Sequence, residues 1–234
     1  MIKYVYKKQT KSPFTIILYF VLMALSFFLL ECSTYNVLRV SGYSTWLRYG
    51  SQGLFGLTML LWGSVWLSDP GELKKNTSHD LGTLLDIYEA TSICADCKVI
   101  KTPRSRHCNL CDICVDRFDH HCPWVNNCIG KGNYARFYSF VFTQSLYLLS
   151  VSIVSILYYK LEFVDDVYSG LEDRNLHPWH KYRRATGVIL SFVAVFFLVC
   201  VVILCWVQTC NLMRGESTSE RFDGGYKATH ALSV

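Results

Sequence analysis

Residues 94–128 read CADCKVIKTPRSRHCNLCDICVDRFDHHCPWVNNC. Seven of the chain's 11 cysteines fall in this stretch, together with His107, His120 and His121. Cys94 and Cys97 form one C-x-x-C pair, and Cys108, Cys111 and Cys114 continue the same spacing. Thiolate and imidazole at such separations are the donors zinc prefers, four to a structural site. Two closed sites would use eight of the ten candidates and leave two over. A leftover thiol beside a leftover imidazole makes a nucleophile and its base. On spacing alone a purely zinc-binding interaction module stays open as an alternative. A thioredoxin-like redox reading is weaker, because the cysteines are too many and no βαβ pattern surrounds them.

Outward from this insert the chain turns apolar. Hydrophobic residues make up 51% of its 234 residues and charged residues 18%, against roughly a quarter charged in a soluble domain. Phe14–Leu30, Tyr49–Leu67, Phe137–Tyr159 and Ala185–Val207 lack Asp, Glu, Lys and Arg. Each is close to the ~20 residues a helix needs to cross a bilayer. Lys3, Lys7, Lys8 and Lys11 precede the first segment as in a signal peptide, but its apolar run exceeds the usual ~7–15 residues. The expectation is an all-α polytopic membrane protein of four transmembrane helices, with a small cytosolic zinc-binding domain between helices 2 and 3. The boundaries follow: 1–67 for the N-terminal arm and first two helices, 68–136 for the cysteine-rich domain. Residues 137–207 hold the last two helices with a lumenal loop, and 208–234 form a short tail.

Topology follows the bias of Lys and Arg toward the cytosol. Four positive residues lie in the N-terminal arm and nine in the Glu72–Arg136 loop. Both termini and the zinc domain are therefore expected in the cytosol, where reduced thiols persist. The loop holding Lys160, Arg174, Lys181, Arg183 and Arg184 runs against the rule, although five acidic residues accompany them. The sequon Asn76-Thr77-Ser78 would stay unmodified on a cytosolic loop. The formal net charge of +5 is mild and scattered, which excludes nucleic acid as the expected partner and suits a membrane surface or an anionic small molecule. No internal repeat is expected. Cys32, Cys200, Cys205 and Cys210 read as small apolar side chains, with juxtamembrane Cys210 open to acylation. Glu31 reads as a helix end.

The run Asp119-His120-His121-Cys122, set within this cysteine pattern, resembles the DHHC protein S-acyltransferase, or palmitoyltransferase, family. Pro103, Arg104, Asn133, Phe137 and Asp69-Pro70-Gly71 match further family elements. After the last span the family carries Thr-Thr-x-Glu, whereas this chain has Ser217-Thr218-Ser219-Glu220. Serine keeps a hydroxyl for the hydrogen bonding of that position. The resemblance implies one zinc on Cys94, Cys97, His107 and Cys114 and another on Cys108, Cys111, His121 and Cys128. With four protein ligands each, both ions would be structural.

The resemblance further implies an enzyme. Cys122 would be the nucleophile, His120 its base and Asp119 the residue that orients the imidazole. A fatty acyl-CoA such as palmitoyl-CoA would be the donor. Cytosol-facing cysteines of membrane-associated proteins would be the acceptors, in two ping-pong steps. A cavity among the helices would house the acyl chain, whose burial is worth about 0.8 kcal/mol per CH₂. Lys98, Lys101, Arg104 and Arg106 either attract the CoA phosphates or form a solvated basic face. Pro123 and Trp124 either lie near the thioester or pack. The expected location is a multi-pass protein of the Golgi, the endoplasmic reticulum or the plasma membrane. A non-enzymatic membrane scaffold is the rival reading; a channel is disfavoured by the uncharged spans.

Overall fold

The computed structural model describes residues 13–31, 45–74, 81–169 and 179–222. Four long helices dominate the described residues: α1 (Phe14–Leu29), α2 (Thr45–Leu67), α4 (Tyr134–Ser169) and α5 (Trp179–Arg214). Short α3 (Leu81–Ile87) and a 3₁₀ turn, Ala90–Ser92, precede six strands. These are β1 (Ile93–Cys94), β2 (Val99–Ile100), β3 (Arg106–Cys108), β4 (Ile113–Val115), β5 (His120–Cys122) and β6 (Asn127–Ile129). A last short helix is α6 (Thr218–Phe222). The chain is therefore not all-α. The cysteine-rich insert folds as strand pairs, because a C-x-x-C turn needs the chain to reverse within four residues and a helix cannot do that.

The N-terminal arm, Cys32, the sequon at 76–78, Arg174 and the tail beyond 222 lie outside the described residues, as do the side chains of Lys181, Arg183 and Arg184. Among the described residues two helical stretches are long and apolar enough to cross a membrane, Tyr134–Lys160 and Gly187–Arg214. α1 is apolar but has only 16 residues. α2 has 23, and Gly50, Gly53, Gly56, Gly63, Ser51 and Gln52 dilute its apolar character. Both α4 and α5 run on past the apolar segments expected from sequence, to 36 residues each.

Two compact units divide the chain. One comprises Leu18–Leu61 and Ser139–Trp206. In it Tyr147 and Tyr158 are fully buried. The Tyr19 hydroxyl donates to Gln144 Oε1 at 2.9 Å, Ser26 Oγ lies 3.0 Å from the Tyr147 hydroxyl, and Phe27 stacks on Phe55. Tyr158 lies against Gly187, where a Cβ would come within 2.4 Å of its ring. Glu31 does more than end a helix. Its carboxylate accepts hydrogen bonds from the Arg48 guanidinium and from Gln52 Nε2 at 2.7 Å.

The other unit comprises Met1–Ile17, Trp62–Tyr138 and Val207–Val234. Its centre is three antiparallel hairpins, β1–β2, β3–β4 and β5–β6, and they are copies of one design. Cys94, Cys108 and Cys122 each end a first strand and recur every fourteen residues. They pair with Val99, Ile113 and Asn127 in the same register. Lys98, Asp112 and Asn126 close the three turns with φ of 53°, 53° and 45°, the left-handed geometry that reverses the strand within four residues. An internal repeat is thus present where none was expected. It is hard to read because only the cysteines, the backbone bend and the register recur.

The unit is held to its helices by polar contacts. Asn127 Nδ2 donates to the carbonyls of Val65 and Ser68 at 3.0 and 2.9 Å, at the end of α2 where carbonyls lack helical partners. The Asp69 carboxylate accepts the amides of Gly71 and Glu72, turning the chain so that Gly71 O accepts the Asp116 amide and Pro70 O the Gly132 amide. Backbones approach closely there. A Cβ on Gly132 would lie 2.5 Å from Asp69 O, and one on Gly130 would lie 2.4 Å from the Val115 side chain. Asn133 then closes the entry to α4, accepting the Gly130 amide and donating to Cys128 O.

Candidate active site and metal centres

The hairpin repeat assembles the thiols and imidazoles. Cys94 and Cys97 from the first hairpin meet His107 and Cys114 from the second, and Cys108 and Cys111 from the second meet His121 and Cys128 from the third. Within each group the donor atoms all lie within 4.8 Å of one another. His107 Nδ1 is 3.2 Å from Cys97 Sγ, and His121 Nδ1 is 3.2 Å from Cys111 Sγ. A tetrahedral zinc with bonds of about 2.0–2.3 Å has ligand–ligand edges of about 3.3–3.8 Å, so these spacings suit it. The proton balance suits a cation too. Hydrogen bonds from Cys111 and Cys128 pull the Cys108 thiol down, while Cys128, donating to Cys108 and Cys111, is pushed up. A divalent ion would replace the shared protons.

Cys122 and His120 stand outside both groups. Cys122 ends β5 and is buried, 6% exposed. His120, two residues earlier on the same strand, points to the same face. It packs edge-on against Phe137. His120 Nδ1 is 2.7 Å from Asp119 Oδ2, which leaves Nε2 for the thiol. His121 points the other way, into its cysteine group.

Asp119 is itself tightly held. The Thr218 amide donates to its Oδ1. The Thr218 hydroxyl donates to Oδ2 at 3.0 Å, and Gln208 Nε2 approaches Oδ2 at 3.4 Å. Burial works against the carboxylate's charge, but the His120 hydrogen bond and the Thr218 amide outweigh it and hold the group below the usual carboxylate range. Burial likewise works against charge on His120, yet hydrogen bonds to Asp119 and Cys122 push it up to about 9.

A family model for the DHHC palmitoyltransferase matches residues 87–224. The chain belongs to the DHHC palmitoyltransferase family. It is similar to the palmitoyltransferase ZDHHC9 of Danio rerio, 36% identical over 140 residues that make up 59% of this chain and 34% of that protein. The Homo sapiens ZDHHC9 is 36% identical over 134 residues, 57% of this chain and 34% of that one. The Canis lupus familiaris ZDHHC5 is 34% identical over 136 residues, 57% and 17%. The chain thus spans about a third or less of the length of these relatives.

In this DHHC domain the segment after α5 is the part that sequence reasoning underrated. Ser217 and Glu220 form a capping box on α6: the Ser217 amide donates to Glu220 Oε2 at 2.7 Å, and the Glu220 amide to Ser217 Oγ at 3.3 Å. Serine serves this role as threonine would. Arg104 clasps Glu220 with Nε and Nη2 at 2.5 and 2.6 Å and donates to Gly215 O. Arg104 is therefore committed to the protein rather than presented to solvent. Ser219 Oγ donates to Phe118 O. The net result is that Thr218 reaches Asp119. The S-x-x-E pattern was the sequence signal for the cap, but nothing local pointed to its target. Beside it, a cavity of about 260 Å³ is lined by Arg104, Arg117, Asp119, Lys131, Tyr134 and Ser217. Trp124, whose carbonyl accepts from Trp62 Nε1, is 42% exposed.

Proposed function

We propose that the chain is a multi-pass membrane protein S-acyltransferase, with Cys122 as its nucleophile. In the first step the Cys122 thiol gives its proton to His120 Nε2 and its sulfur attacks the thioester carbonyl of a fatty acyl-CoA such as palmitoyl-CoA. The carbon–sulfur bond to CoA breaks, CoA takes the proton from His120, and the acyl group is left on Cys122. In the second step a cysteine thiol of a membrane-associated protein attacks the acyl-enzyme, its proton passing through His120 to the Cys122 sulfur. Asp119 keeps the imidazole in the tautomer with Nε2 facing sulfur and stabilises the imidazolium that forms within each step.

The observation that carries the reading is a cysteine and a histidine two residues apart on one face of β5, the histidine fixed through Nδ1 on a buried carboxylate. Cys94, Cys97, His107 and Cys114 would hold one zinc, and Cys108, Cys111, His121 and Cys128 a second. With four ligands each these ions would fix the hairpins and take no part in the reaction. The four apolar segments would span the bilayer with both termini and the zinc domain in the cytosol of a Golgi, endoplasmic reticulum or plasma membrane protein. The acyl chain would then lie among the helices with its thioester at the interface.

Reconstituted protein given acyl-CoA and a membrane-tethered peptide with one cysteine is expected to leave a hydroxylamine-sensitive acyl group on the peptide. Cys122→Ser should leave no more than acyl-CoA leaves without protein. Equal labelling of the peptide by both proteins would point to the scaffold reading, since acyl-CoA also modifies thiols without an enzyme.

A further inference from the structure

The hairpin repeat places Cys122 in unusual company. In each of the first two hairpins the strand-end cysteine and the cysteine three residues on, Cys94 with Cys97 and Cys108 with Cys111, supply half of a metal group. The histidine and last cysteine of the next hairpin supply the other half. The third hairpin has the same register and the same left-handed turn residue. Cys122 stands where Cys94 and Cys108 stand, but Val125 replaces the second cysteine. No fourth hairpin follows, because the chain enters α4 at Tyr134. Cys122 is thus a ligand position at the open end of a metal-binding ladder.

It has one nitrogen donor at hand. His120 stands two residues before Cys122 on β5, on the same face of the strand, and its Nδ1 rests on Asp119 at 2.7 Å. A carboxylate behind the imidazole is the arrangement that orients histidine toward a metal ion. The His120 side chain is 28% exposed, which gives an ion access from solvent.

We propose that Cys122 and His120 form a third, incomplete metal site that reversibly captures a soft divalent cation such as zinc or cadmium and thereby masks the nucleophile. The cation displaces the thiol proton to solvent, Sγ and Nε2 bind it, and water fills its other positions. With two protein donors instead of four the ion is held more weakly than the two structural ones. Acyl donor and cation need the same sulfur lone pair, so they compete. That competition rests on the acyltransferase reading; the capture of the ion does not.

The test uses the purified full chain carrying its two zinc ions, equilibrated with buffered free cadmium or zinc. Bound metal is counted, and labelling of Cys122 by a maleimide is followed by peptide mass spectrometry. A third ion per chain and slowed labelling of Cys122 are expected, both reversed by a mild chelator that leaves two ions in place. Cys122→Ser should stop at two ions. Val125→Cys restores the missing knuckle cysteine and should tighten the third ion roughly tenfold or more. His120→Gln should weaken it, and it serves as the second test should Val125→Cys lose its structural ions. Two ions and unchanged labelling in wild type and in both of these variants would overturn the proposal. A third ion that persists in Cys122→Ser would overturn it as well, by placing the ion elsewhere. If the ion binds but acyl transfer, where measured, proceeds at its full rate, the masking is refuted.

Discussion

Thr218 donates both its amide and its hydroxyl to the carboxylate of Asp119, 99 residues earlier in the chain. The bond couples the segment after the last long helix to the side chain that holds His120. Losing the hydroxyl in Thr218→Val leaves a buried charge short of one donor, which costs on the order of 1.5–3 kcal/mol. Part of that cost should appear in the rate. Acyl-enzyme formation is expected to slow roughly tenfold or more while both metal sites stay filled. Thr218→Ser keeps the donor and should retain most of the rate. A Thr218→Val enzyme as fast as wild type would show that this contact only packs the tail.

Arg104 and Glu220 make the second link between the tail and the hairpins. Burial raises Glu220, but Arg104 and the Ser217 amide outweigh it and hold the carboxyl below its usual range. A depressed carboxylate stabilises the fold above its ordinary pKa near 4.5 and loses that contribution as pH falls through the lower folded value. Arg104→Met and Glu220→Gln should each lower stability by about 1–3 kcal/mol. The double variant should lose less than the two together, as read by thermal unfolding. Additive losses would mean that the pair is not coupled.

The ten candidate thiols and imidazoles and the apolar segments are legible in the sequence, because each depends on residue type at short spacing, whereas their division into two groups came from the family resemblance. The sequence hid four things. Arg104 looks from sequence like a solvent-facing cation, and only the folded chain shows its partner 116 residues away. The hairpins were concealed as well, since β1 and β2 have two residues each and too short a run shows no alternation. The repeat was obscured at its third copy, where Val125 and Pro123 stand in place of the expected pattern. The all-α expectation failed for the same reason: it was drawn from the long apolar segments, and the insert between them was left without a conformation. Asn127, which caps α2, had no local signal, because its acceptors Val65 and Ser68 lie 62 and 59 residues earlier.

His120 has a pH signature. Its folded value of about 9 stands above the ordinary 6.5. Charge on His120 therefore stabilises the fold fully below pH 6.5, and the contribution fades as pH rises toward 9. The melting temperature of wild type relative to His120→Gln, both metal-loaded, should be most favourable near pH 6 and fall steadily up to pH 9. A difference that grows with pH would contradict the ion pair with Asp119.

Metal removal should act on the hairpins before the helices. With strands of two or three residues, the insert has little else to hold it, and structural zinc supplies much of the folding free energy of such elements. Chelation is expected to abolish acyl-enzyme formation and expose Cys94, Cys108, Cys114 and Cys128 to alkylation, while helical circular dichroism is largely retained. Retained activity with both ions removed would contradict a structural role. Gly132→Ala, whose Cβ would meet Asp69 O, should lower stability by about 1–3 kcal/mol without touching a metal donor.

The most direct test of the account is the mass of the protein after brief incubation with palmitoyl-CoA and no acceptor. One palmitoyl group, sensitive to hydroxylamine and mapped to Cys122, is the predicted result, absent from Cys122→Ser and strongly reduced in His120→Gln. An unmodified Cys122 in protein that holds both metal ions would contradict the claim that this thiol is the nucleophile.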